Sequence, residues 1–136
     1  MVMGENIRIL LIEDNQGDAY LIGEHLEEYA YFSYGFKIVE TLDEALRVLK
    51  KKPFYVILLD LELPDSYGIN TFLSIHNENP LIPIIILTGL KDEKIKSYAL
   101  KIGAYDYLVK GQTEGRLLEC IMQCFIECRK RLSAII

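Results

Sequence analysis

Apolar residues fall in short unbroken runs that alternate with stretches of helical spacing, and the alternation repeats five times along the chain. Residues 7–12 read as a buried strand. Residues 15–29 follow as a helix, with Leu21, Ile22, Leu26 and Tyr29 on one face and Asn15 as N-cap. Residues 31–35 make an aromatic loop and 36–39 a second strand. Thr41-Leu42-Asp43-Glu44 has the form of a capping box, in which Thr41 accepts from the Glu44 N–H and Glu44 reaches back. Ala45, Leu46 and Leu49 then give the inner stripe of a second helix, and Pro53 blocks its continuation. Residues 54–59 are the most apolar run and predict a central strand.

A third helix spans 68–77, with Ile69, Phe72 and Leu73 on one face. A strand at 84–87 follows Pro80 and Pro83. Asp92 caps a helix over 92–102 that ends near Gly103, and residues 106–109 form the last strand. The final helix runs from Thr113 to about Leu132. Strands joined one after another by helices pair in parallel through right-handed crossovers, which predicts a doubly wound five-stranded α/β sheet with helices on both faces.

Composition narrows the function classes. The chain has 136 residues, 51% hydrophobic and 26% charged, enough for one domain over 1–136 with a core over about 7–130. A net charge of -5 argues against nucleic acid as a partner, and the short Arg129-Lys130-Arg131 run reads as a solvated helix end. No apolar run reaches the ~20 residues of a membrane span, and the first six residues lack the form of a signal peptide, so a cytoplasmic protein is expected. Cys120, Cys124 and Cys128 share a helix side with Leu117, Ile121, Phe125 and Leu132. They read as small buried hydrophobes, not metal ligands. His25 and His76 are expected at the surface, and Tyr98 and Tyr105 near the last strand.

Polar residues collect where strands end. Glu13 and Asp14 follow the first strand, Asp60 the third, Thr88 the fourth and Lys110 the fifth. Ligands of an open parallel sheet bind at the carboxyl ends of its strands, where strand order reverses. With order 2-1-3-4-5, that point brings Glu13, Asp14 and Asp60 together. Close carboxylates either raise one another's pKa or hold a cation, and hard oxygen ligands suit Mg²⁺. A lysine and a threonine opposite can meet phosphoryl oxygens, and a carboxylate so placed can be a nucleophile toward phosphorus. Taken singly, each residue reads as a helix cap, a turn residue or a solvated lysine. Their joint position points to acyl phosphate chemistry.

The chain resembles the CheY-like receiver domains of two-component response regulators, over about residues 7–130. The resemblance rests on Ile12-Glu13-Asp14-Asn15, Leu58-Leu59-Asp60-Leu61-Glu62-Leu63-Pro64-Asp65 with Gly68 beyond, Leu87-Thr88-Gly89, and Gly103-Ala104-Tyr105-Asp106-Tyr107-Leu108-Val109-Lys110. It implies a flavodoxin-like fold and a phosphorelay signalling switch, a phosphoprotein that catalyses only its own phosphorylation and dephosphorylation. Asp60 would accept the phosphoryl group from a histidine kinase. Glu13, Asp14, Asp60 and the backbone carbonyl of Glu62 would hold Mg²⁺, and Thr88 and Lys110 would contact the phosphoryl group. Tyr107 would be the aromatic partner of Thr88 in the switch. The family often has a cis proline after the lysine. Here Gly111 follows, and a cis bond before a non-proline costs about 2.5–4 kcal/mol.

The face of the fourth helix, fifth strand and fifth helix is the expected partner surface, carrying Lys91, Lys94, Lys96, Lys101, Met122 and Ile126. A downstream protein, or a second copy in a homodimer, would dock there. Three other readings compete. A phosphatase of the haloacid dehalogenase type would show Asp-x-Asp-x-Thr, which the run from Asp60 to Pro64 lacks. A pseudo-receiver would bind without taking phosphate. An FMN carrier would need a phosphate loop after the first strand.

Overall fold

A computed structural model describes residues 6–112 and 115–135, with side chains described as far as Glu127. Five strands, β1 (Ile7–Ile12), β2 (Tyr34–Val39), β3 (Val56–Leu59), β4 (Ile84–Thr88) and β5 (Asp106–Val109), form one parallel sheet in the order 2-1-3-4-5. Five helices connect or follow them: α1 (Gln16–Tyr29), α2 (Leu42–Lys51), α3 (Ile69–Glu78), α4 (Glu93–Lys101) and α5 (Arg116–Ile135). This is the expected doubly wound, flavodoxin-like architecture.

Alternation along the strands builds two cores. Ile7, Ile9 and Leu11 join Leu58, Ile85 and Leu87 beneath α1 and α5. Leu10 and Ile12 join Ile57, Leu59 and Ile86 beneath α2, α3 and α4. Burial on both faces explains why β3, and β4 as far as Leu87, are apolar without interruption. Leu117, Cys120, Ile121, Cys124 and Phe125 bury the inner side of α5. Burial pushes the Cys120 thiol up to about 12, helped by Asp106, to whose Oδ2 it donates at 3.2 Å. The two described cysteines are therefore packing groups. Cys128, Arg129, Lys130, Arg131 and Leu132 lie beyond the described side chains, and Thr113 outside the described residues.

Several expectations need correction. In α1 the buried set is Ala19, Ile22 and Leu26, whereas Leu21 and Tyr29 are exposed. Ala19, three residues before Ile22 and seven before Leu26, completes the stripe, while Leu21 is one step around the helix from Ile22. β2 begins inside the expected aromatic loop, because Tyr34 and Gly35 pair with Ile7 and Arg8. β3 starts at Val56, with Phe54 buried in the approach. Neither histidine is a simple surface residue. His25 Nε2 and His76 Nδ1 are buried without a partner, and the His76 ring stacks on Phe72 at 5.1 Å. Tyr105 packs against the α1–α5 core, but Tyr98 is exposed. Met122 packs against the same core, leaving Ile126 as the exposed member of that expected pair.

The N-terminus of α2 has a cap that sequence spacing did not reveal. Thr41 Oγ1 accepts from the Glu44 N–H at 3.1 Å, as expected. Glu44 reaches the Thr41 hydroxyl at 3.3 Å, not its backbone. The two preceding N–H groups, of Leu42 and Asp43, donate to Asp65 Oδ1 and Oδ2 at 2.9 and 3.0 Å. Asp65 sits at the turn of a small hairpin, Glu62–Leu63 against Ser66–Tyr67. The hairpin closes with the Gly68 N–H donating to the Leu61 carbonyl at 2.7 Å, with Gly68 at φ 79°. The segment after Asp60 is thereby tied to α2.

This tie predicts a measurable cap. Burial acts to raise the Asp65 pKa, but the N–H groups of Leu42 and Asp43 outweigh it and hold it below the usual carboxylate range. Its stabilising effect is present above the unfolded pKa and is lost as pH falls through the folded value. Asp65→Ala should lower stability by about 1 kcal/mol at neutral pH. Urea unfolding should show that difference shrinking in acid, and a constant difference would remove the carboxylate from this role.

Candidate functional site

Backbone ladders set the site by carrying strand geometry one residue past each strand end. The Glu13 N–H donates to the Val39 carbonyl at 2.9 Å, the Asp60 N–H to Ile12 at 3.0 Å, and the Lys110 N–H to Thr88 at 2.8 Å. Ile12 pairs with Leu59, so Glu13 and Asp60 follow side by side at the switch point of the sheet. Glu13, Asp60 and Thr88 are buried. Carboxylate oxygens of Glu13, Asp14 and Asp60 all lie within 4.8 Å of one another.

Lys110 crosses this cluster. Its Nζ lies 2.5 Å from Glu13 Oε1, 2.8 Å from Asp18 Oδ2 and 3.1 Å from Asp60 Oδ2. Burial acts to lower its pKa, but Asp18, then Glu13, then Asp60 hold it above the usual lysine value. Glu13 moves the other way for an acid. Burial, and then Asp60, raise its pKa to about 7 against the pull of Lys110. Glu13 Oε2 accepts from the Asn15 N–H at 3.2 Å, while Oε1 is buried without hydrogen-bond geometry despite its closeness to Lys110. Asp60 Oδ1 accepts from the Glu62 N–H at 3.2 Å.

Four carboxylates therefore gather at one ammonium, and the site carries excess negative charge. That donor set fits a hard divalent cation, which takes one or two carboxylates and keeps waters. Glu13, Asp14 and Asp60 are brought together as expected, with Lys110 among them. Glu62 presents an exposed side chain. Asp18 was missed. Its signal was its place in the first turn of α1, three residues after the cap Asn15, whose side chain accepts from the Asp18 N–H at 2.9 Å.

Thr88 ends β4 in the neighbouring row, and its Oγ1 accepts from the Leu90 N–H at 3.3 Å. Tyr107, 2% exposed, donates its hydroxyl to the Leu90 carbonyl at 2.7 Å. Thr88 and Tyr107 thus hold opposite ends of one residue's backbone. The turn after β5 closes with the Gln112 N–H on the Val109 carbonyl at 3.1 Å, with Gly111 at φ 83° in its third position. Glycine is suited to that position, and the described residues contain no cis peptide bond.

A five-stranded parallel sheet with buried acids and a lysine at its carboxyl edge defines a class of doubly wound α/β domains with an acidic pocket. Family comparison makes the assignment specific: the response regulator receiver domain matches residues 9–122, and the chain belongs to that family. It is 29% identical over 130 residues to the transcriptional regulatory protein ZraR of Salmonella typhimurium, covering 96% of this chain and 29% of that protein. It is 30% identical over 107 residues to ZraR of Klebsiella oxytoca, covering 79% and 24%. The chain thus spans less than a third of these relatives.

Among solved structures it is similar to a CheY-like receiver domain protein of Methanospirillum hungatei, with TM-score 0.81, 27% identity and 93% and 99% coverage. It is also similar to a receiver domain protein of Clostridium thermocellum, with TM-score 0.77, 28% identity and 92% and 97% coverage. The chain is a receiver domain of a two-component system, a class of signalling domain. Receiver domains typically bind Mg²⁺ at an acidic pocket, and this chain has the cluster for one. No helix among the described residues is long and apolar enough to cross a membrane.

The raised Glu13 pKa carries a pH consequence. In the metal-free protein, folded Glu13 keeps its proton between pH 4.5 and about 7 while the unfolded chain has lost it. The folded state then binds more protons, so stability falls as pH rises through that window. The slope should reach at most about 1.4 kcal/mol per pH unit. Urea midpoints measured in a chelator should decline accordingly, and Glu13→Gln should flatten the decline. An equal slope in that variant would assign the effect to another group.

Proposed function

We propose that Asp60 accepts a phosphoryl group from the phosphohistidine of a histidine kinase. The observation that carries this reading is a buried carboxylate beside Lys110 and the Glu13–Asp14 pair, in a chain of the receiver family. An Asp60 oxygen attacks phosphorus, the phosphorus–nitrogen bond breaks, and the electron pair stays with the imidazole, which takes up a proton. The product is a mixed anhydride. Glu13, Asp14, Asp60 and the Glu62 backbone carbonyl would hold Mg²⁺, which supplies positive charge for the incoming phosphoryl oxygens. Lys110, released from part of its carboxylate contacts, pairs with one phosphoryl oxygen, and the Thr88 hydroxyl donates to another.

The whole chain acts as one receiver domain in the cytoplasm and turns over no substrate besides its own phosphoryl group. A phosphatase of the dehalogenase type and a phosphate-independent module are the weaker readings, since the family match and the full set of site residues favour a phospho-acceptor. The relatives' names make transcription the output class this reading favours. That output runs partly against the expectation of no nucleic-acid partner, since a DNA-binding effector would lie downstream of the domain. Signal would pass through α4, β5 and α5 to a downstream protein or a second copy. Exposed Tyr98, Leu100 and Ile126 lie on those helices, with Lys91 preceding α4 and Lys94 and Lys101 within it.

Acetyl phosphate with Mg²⁺ should add one phosphoryl mass to the intact protein, and chelation or Asp60→Ala should remove that adduct. Full-yield labelling of Asp60→Ala would end Asp60's claim to the role.

Beryllofluoride should shift amides across residues 88–110 and in α5. Two states differing in Thr88 and Tyr107 would give that pattern, because a ligand can only bias states it binds unequally. Shifts confined to the loops at Glu13 and Asp60 would leave a phosphate store without a switch.

A further inference from the structure

A second polar site lies near the opposite, N-terminal edge of the sheet, and the phosphoryl chemistry does not use it. Arg8, Gly35, Lys37, Val48, Lys51, Lys52 and Phe54 are among the residues that line a cavity of about 510 Å³. Its size falls in the range of small-molecule sites, roughly 300–1,000 Å³. Arg8 and Gly35 are register partners on β1 and β2, so their side-chain positions share a face, and Lys37 follows on the same face. Glycine at 35 leaves the floor open: a Cβ there would meet nothing within 4 Å.

The charge of this cavity is unbalanced. Arg8, Lys37, Lys51 and Lys52 bring four cations, and no acidic side chain lines it among the described residues. None of the four forms a described ion pair, in a chain whose net charge is -5. Lys51 ends α2 and Lys52 is its C-cap, so both are partly explained by the helix dipole. Arg8 has no such explanation. It comes from the sheet, its Nε is buried without a partner, and its guanidinium lies 5.4 Å from the Phe54 ring centroid. Phe54 is held there because the next residue, Tyr55, donates its N–H to the Arg8 carbonyl at 2.9 Å. A buried donor without an acceptor is costly, and a guanidinium matches the paired oxygens of a phosphate.

We propose that this cavity is a binding site for a small organic phosphate. Its phosphate sits on Arg8 with Lys37, Lys51 and Lys52 around it. Its organic part fills the space over Gly35, against Val48 and Phe54, which a bare phosphate would leave empty.

Amide chemical-shift titration of the full chain tests this, with adenosine 5′-monophosphate and inorganic phosphate as probes in Mg²⁺-free buffer. Saturable shifts should cluster at Arg8, Gly35, Lys37 and residues 48–54, with adenosine monophosphate binding more tightly than phosphate. The exposed pair Lys51→Gln with Lys52→Gln should weaken it about tenfold or more, as expected for lost charge-assisted hydrogen bonds. Gly35→Val removes no charge and puts a strand-compatible side chain into the cavity. It should abolish adenosine monophosphate binding. The site is overturned by the absence of saturable shifts at millimolar probe, or by shifts scattered over surface lysines. Unchanged affinity in both variants, or equal affinity for the two probes, would also overturn it.

Discussion

One ammonium among four carboxylates is the arrangement around which this end of the molecule is organised. Lys110 reaches Glu13, Asp18 and Asp60 from β5, across two intervening strand ends, and Asp14 completes the acidic set. Buried like charges cannot all ionise without compensation, and Lys110 supplies only one positive charge. Burial first, and then Asp60, raise the Glu13 pKa to about 7 even with Lys110 beside it. The metal-free site is consequently held together by Lys110. Added positive charge at the cluster would offset the carboxylates that now depend on Lys110.

That electrostatic centre depends on an apolar constraint. β1 and β3 lie in the interior of the sheet with both faces covered, so their pairing register is specified by two cores at once. A slip of one residue would exchange the cores and carry Glu13 and Asp60 to the wrong faces. The charge cluster can be held at high local cost because it is fixed by burial of neighbouring Ile12 and Leu59, and not by its own contacts. This also explains why so much of the fold was legible. Strands buried on both faces write themselves as unbroken apolar runs, and a chain that alternates them with helices has few topologies available.

What escaped the sequence reading depends on partners far apart in the chain. Asp65 caps α2 from 22 and 23 residues away, a distance at which spacing rules for caps say nothing. Asp18 looks like an ordinary first-turn acid of α1 until β5 brings Lys110 to it, 92 residues later. Leu21 and Tyr29 read as part of the buried stripe because their residue types are apolar, but the small Ala19 occupies the position facing the sheet. The acidic positions themselves were readable because strand ends localise side chains in space. Their hydrogen-bond partners were not, since those depend on side-chain reach across neighbouring strands.

The backbone of Leu90 connects the two halves of the site. Its N–H is taken by Thr88 and its carbonyl by Tyr107, one from the end of β4 and the other from β5. Thr88 Oγ1 only accepts in that link, so its hydroxyl hydrogen stays free to donate, whereas a rotation that moves Oγ1 would loosen the link. Tyr107 is almost wholly buried, and its pKa is raised by burial, then by Asp92 and Glu93, so its hydroxyl stays protonated and needs an acceptor. Thr88 and Tyr107 are therefore joined through a shared peptide segment. The same segment leads into Asp92, the cap of α4. The loop after β4 thus carries a continuous run of hydrogen bonds from Thr88 through Leu90 to Tyr107 and leads into the cap of α4.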